Sequence, residues 1–103
     1  MTKRQVEAVL RGVMDPELGV NIVDLGLIYK IEINEQETMS KVRIVMTLTT
    51  PGCPLGGWFV DKVTEAVAEG LKLDKSQVTV EISFDPPWNQ ELMSEEAKAQ
   101  LGF

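Results

Sequence analysis

The chain has 103 residues, of which 44% are hydrophobic and 25% charged, the composition of an ordinary globular domain with room for one core. A formal net charge of −6 and a pI near 4.6 argue against a nucleic-acid surface, and nothing in the chain reads as a basic amphipathic helix for a membrane surface. One cysteine excludes an internal disulfide, and the absence of histidine removes the commonest general base and neutral metal ligand. No apolar run approaches the roughly 18 residues of a membrane span, and the N-terminus interleaves charges where a secretory signal would be apolar. A cytoplasmic protein with a free thiol is expected.

Residues 2–11 read as a helix, with Val6, Val9 and Leu10, and Val13 just beyond, at helical spacing. Thr2 and Gln5 form a capping-box pattern, and Gly12 reads as the stop. Residues 14–26, MDPELGVNIVDLG, have no clean period and read as a loop of a length that is often functional. Leu27, Tyr29, Ile31 and Ile33 alternate with Ile28, Lys30 and Glu32 as a first strand. Val42, Ile44, Met46 and Leu48 alternate with Arg43, Val45 and Thr47 as a second, and the polar connection between them makes an antiparallel hairpin.

The breaker-rich TTPGCP follows at residues 49–54, then a helix over about residues 55–69. Phe59, Val60, Val63, Ala66 and Val67 would form its buried stripe, with Gly70 as its end. Val78, Val80, Ile82 and Phe84 alternate as a third strand that stops at Pro86 and Pro87. Ser94 caps a last short helix docked by Ala97 and Leu101. The order α-β-β-α-β-α predicts an α/β (α+β) two-layer sandwich in a single domain, residues 1–103. Its small mixed three-stranded sheet has strands two and three parallel, joined by a right-handed crossover. One face of the sheet carries helices, and the other is open to solvent or to a second subunit.

Cys53 is the leading site candidate. It sits at a strand-to-helix turn, where Pro54 suits the first helical position. The free N–H groups and dipole of a helix start favour an anion and populate the thiolate, the form that attacks and binds metals. Gly52 lets the backbone turn, and Thr49 and Thr50 supply hydroxyl donors. The plainer alternative is a small buried hydrophobe. Asp15, Glu17 and Asp24 form an acidic loop that could hold a cation or set a thiol's environment, or could simply cap turns, since Asp15 precedes Pro16. Trp88, after two prolines, is either an interface anchor or a cover for the core edge. No nucleophile–histidine–acid set, phosphate loop or CxxC pair is present.

Taken in order, Asp15-Pro16-Glu17, residues 21–27 (NIVDLGL), residues 46–54 (MTLTTPGCP) and Pro86-Pro87-Trp88 resemble the MIP18-like (DUF59) family. Residues 93–102 resemble its C-terminal signature, so the likeness runs from about Val6 to Gly102. The resemblance implies the same fold and a role in maturing iron–sulfur proteins, as in SufT-type and eukaryotic cytosolic-targeting members. It places the family's reactive cysteine on Cys53, its acidic loop on Asp15, Glu17 and Asp24, and its threonine pair on Thr49 and Thr50. A related branch, the PaaD-like proteins of phenylacetate degradation, supports an oxygenase; this sequence lacks that branch's extra cysteine region.

An iron–sulfur cluster usually takes four thiolates, and one chain offers one. The expected cargo is therefore iron or a cluster held transiently at Cys53, or shared across a homodimer, with no tightly bound cofactor. Expected partners are the iron–sulfur assembly machinery or client apoproteins, with neither nucleic acid nor membrane. The leading reading is an accessory factor, not an enzyme. Three others stay open: metal–sulfur support of an aromatic-degradation oxygenase, a thiol-dependent enzyme, and a metal-free interaction module using Trp88.

Overall fold

The computed structural model describes residues 2–16, 18–35, 39–48 and 56–102. Helix α1 spans Lys3–Leu10. Strands β1 (Ile28–Glu35) and β2 (Ser40–Met46) form the hairpin, and α2 (Gly56–Leu71) leads to β3 (Val78–Ile82) and α3 (Glu95–Leu101). Short 3-10 turns at Lys75–Gln77 and Gln90–Leu92 precede β3 and α3. The expected order and α+β class hold. β2 is the central strand, antiparallel to β1 and parallel to β3.

The capping box is present: Gln5 N–H donates to Thr2 Oγ1 at 3.2 Å, and Thr2 N–H to Gln5 Oε1 at 2.8 Å. Val42, Ile44 and Met46 of β2 point into the core with Ile31 of β1 and Val78 of β3. Val6 and Leu10 of α1, and Phe59, Val63 and Val67 of α2, close over them. Burial of each such side chain contributes about 1.5–3 kcal/mol. The opposite face carries a charge ladder across all three strands. Arg43 donates to Glu32 at 3.0 Å and to Glu81 through Nε at 3.0 Å, and Lys30 lies 2.9 Å from Glu32. These groups are well exposed, so this face is built for water.

Three expectations are corrected. A bulge between Ile28 and Lys30 sets Ile28, not Tyr29, opposite Met46. The freed Tyr29 instead donates its hydroxyl to the Pro86 carbonyl at 2.7 Å. Gly70 does not end α2, which runs on to Leu71. A Cβ at Gly70 would lie 2.7 and 2.8 Å from the two methyls of Val9, so glycine there lets α1 and α2 approach. The helix stops because Lys72 turns left-handed, with φ 57°, and Leu73 N–H donates to Ala68 at 2.8 Å. Finally, β3 ends at Ile82 and leaves Phe84 40% exposed.

Candidate functional site

Cys53 lies outside the described residues, with Thr49, Thr50, Gly52 and Pro54; so does Glu17. The flanks of the cysteine segment are defined. β2 ends at Met46, whose carbonyl accepts Ser83 N–H at 2.8 Å. Thr47 and Leu48 follow, 0% and 4% exposed, and Thr47 N–H donates to the Leu27 carbonyl at 2.8 Å. α2 is described from Gly56. The chain thus enters residues 49–55 from the carboxyl end of the central strand, the end at which open α/β sheets take ligands.

Thr47 itself was not a candidate. Strand alternation puts it outward with Arg43 and Val45, yet it is fully buried. Its Oγ1 has no hydrogen-bond partner, the one such buried side-chain atom found among the described residues. A hydroxyl in that position costs about 1–3 kcal/mol. The only sequence signal was a threonine just past the last apolar pair of a strand.

The acidic loop is organised by its own carboxylates. Asp15 is 5% exposed, and its Oδ1 accepts Leu18 N–H at 3.1 Å. Its backbone closes the same turn: Asp15 N–H donates to Val20 at 2.9 Å, and Gly19 N–H to Asp15 at 2.8 Å. Met14 and Asn21 pair across the base of the loop. Asn21 Oδ1 then accepts Asp24 N–H at 2.9 Å, and Asn21 Nδ2 donates to Asp24 Oδ2 at 2.7 Å. Both carboxylates are thus engaged in turn and cap bonds. Among the described residues, no group of three or more His, Cys, Asp or Glu is placed to hold a metal ion.

Residues 24–29 receive the C-terminal segment. Trp88 Nε1 donates to the Leu25 carbonyl at 2.7 Å, and its half-buried ring packs on the core. Ser94 N–H donates to the Asp24 carbonyl at 2.7 Å, while the Ser94 hydroxyl caps α3 through Ala97 N–H. Gly26, with φ 77°, lies against Leu92, where an added Cβ would meet the carbonyl oxygen at 2.2 Å. The Asp85–Pro86 peptide bond beside this contact is cis. NIVDLGL and PPW, bonded across 63 residues of sequence by Trp88 and Leu25, are therefore two halves of one joint. The structure gives Trp88 the core-covering position.

Glu32, Arg43 and Glu81, whose ionisation is shifted, sit on the outer sheet face. A hydrogen bond from Lys30, with help from Arg43, lowers the Glu32 carboxyl below its usual range. Hydrogen bonding to Arg43 does the same for Glu81, and Glu81 in turn raises Arg43.

Comparison with known proteins agrees with this frame. The sequence profile of a family described as iron–sulfur cluster assembly protein matches residues 3–82. The chain belongs to that family. Among its relatives, the Fe–S protein maturation auxiliary factor SufT of Staphylococcus aureus is 40% identical over 87% of this chain and 97% of its own. YitW of Bacillus subtilis, another Fe–S protein maturation auxiliary factor, is 41% identical over 97% and 93%. A DUF59 domain of unknown function from Bacillus anthracis superposes with a TM-score of 0.88 at 36% identity, covering 98% of this chain and 92% of that one. The expected membership is borne out along nearly the whole chain.

Proposed function

We propose that this protein is an accessory factor that helps mature iron–sulfur proteins, and that the Cys53 thiolate is the group through which it handles iron–sulfur cargo. The observation that carries this reading is similarity to two maturation auxiliary factors over almost their full lengths. Those names fit an accessory role better than catalysis. The chemistry of the chain fits as well. In the sequence Cys53 precedes Gly56, the first described residue of α2, by three positions; a helix start close to the thiol would favour its thiolate.

One thiolate cannot complete a four-thiolate shell. Cargo is therefore held briefly and shared with a partner: a scaffold, a client apoprotein or a second copy of the chain. A reducing cytoplasm would keep Cys53 reduced, and among the described residues no helix is long and apolar enough to cross a membrane.

Deleting the gene should lower the specific activity of iron–sulfur enzymes in the source cell, most under iron limitation or oxidative stress, and restoring it should recover them. Unchanged activities under those stresses would overturn the proposal.

A further inference from the structure

A groove of about 390 Å³ runs between the turn that follows α1 and one stripe of α2. Trp58, Lys62, Glu65, Ala66 and Glu69 line it from α2, and Met14 closes it from the other side. The stripe repeats at helical spacing from Trp58 to Glu69, about 16 Å at roughly 1.5 Å per residue. Two of its residues are large and apolar yet exposed, Met14 at 47% and Trp58 at 36%. Methionine adapts to varied apolar surfaces, and tryptophan is enriched among residues that anchor interfaces. The Trp58 ring is held edge-on against Phe59 with centroids 5.0 Å apart, and Lys62 Nζ lies 6.0 Å above it. The aromatic is thus presented by a rigid element.

Charge along the groove is uneven. Among the described residues that line it, Lys62, beside Trp58, is the only cation. Glu65 and Glu69 stand toward the other end of the α2 stripe. Glu65 has a loose contact with Lys75 at 3.8 Å, and Glu69 has no ion pair among the described residues. The whole chain adds a net charge of −6. An apolar floor ending in carboxylates on an acidic protein complements an apolar stripe that ends in lysine or arginine, and repels an acidic one.

We propose that this groove docks a short helical segment of a partner protein, about three turns long, with apolar residues over Met14 and Trp58 and a basic residue against Glu65 and Glu69. This rests on the maturation reading only for the kind of partner, a scaffold or client protein.

The test uses the full chain, labelled for amide NMR, and two synthetic amphipathic 14-residue peptides, one of leucine and lysine and one of leucine and glutamate. The leucine–lysine peptide should shift amides at residues 12–14 and 58–69. The double variant E65K/E69K, at one half-exposed and one exposed position outside the core, should bind it about tenfold more weakly, or worse. Equal binding of both peptides, shifts centred elsewhere, or full affinity in E65K/E69K would overturn the proposal. So would self-association of the wild type that E65K/E69K abolishes, since the occupant would then be a second copy. In cells, iron–sulfur enzyme activities that survive E65K/E69K but not Cys53→Ser would overturn the groove while leaving the maturation reading standing.

Discussion

The acidic loop and the exit of β2 both belong to the pattern by which the family is recognised, and the fold treats them differently. In the loop, the Asp15 carboxylate accepts the Leu18 N–H of its own turn and the Asp24 carboxylate accepts from Asn21. At the exit of β2, the backbone of Thr47 is pinned to Leu27 while its buried hydroxyl has no partner. That strand end leads straight into the segment that contains Cys53. We propose that the two regions divide the work, the acidic loop holding backbone and the segment after β2 carrying the thiol chemistry.

The largest test of the scaffold side is Gly26→Ala. The left-handed backbone and the overlap with Leu92 together should cost about 2–5 kcal/mol, read as a fall in the urea midpoint. A loss under about 1 kcal/mol would mean that the joint between residues 24–29 and the C-terminal segment yields easily. Next is Asp15→Ala, expected to cost about 1–2 kcal/mol by freeing the Leu18 N–H. Asp15→Asn keeps an oxygen acceptor for the Leu18 N–H and should recover most of that stability.

On the other side of the comparison, Thr47→Val keeps the shape and removes an unpaired hydroxyl. It should be neutral or stabilising by up to about 1 kcal/mol in thermal or urea unfolding. A clear loss of stability would show that the hydroxyl has a partner in solution. The smallest effect belongs to the outer sheet face. Arg43→Gln should lower the melting temperature slightly at neutral pH and low salt, and the difference should vanish near 1 M salt, where the Debye length is about 3 Å. Glu32 and Glu81 have folded pKa values below the ordinary 4.5, so their pairing stabilises above that value and fades as pH falls through the lowered ones. The wild-type advantage over Arg43→Gln should close on acidification below about pH 4.5 and persist above it.

Local rules made much of the fold legible. The Thr2–Gln5 box, the alternation in β2, the Ser94 cap and the helical spacing of Phe59, Val63 and Val67 each depend on neighbours within a few residues. What sequence reading missed depends on distant partners. Tyr29 leaves the core face because of a bulge whose reward is a bond to Pro86, 57 residues away. Gly70 looked like a helix stop, yet it is glycine because Val9 packs on it. Trp88 gave no sign in the sequence that its indole N–H would reach the Leu25 carbonyl, 63 residues away. The acidic loop could be read two ways, because a carboxylate that caps a turn and one that waits for a cation have the same sequence signature. The structure adds the bonds of Asp15 to Leu18 and of Asp24 to Asn21, which no local pattern specifies.

The contrast can be put to one measurement. Cells lacking the gene are given wild type, Cys53→Ser, or the double variant Asp15→Asn/Asp24→Asn, and iron–sulfur enzyme activity is measured per folded protein under iron limitation. We expect Cys53→Ser to match the empty vector and the carboxamide variant to match wild type. Full rescue by Cys53→Ser, or none by a well-folded Asp15→Asn/Asp24→Asn, would contradict the assignment of chemistry to the thiol and scaffold to the acids.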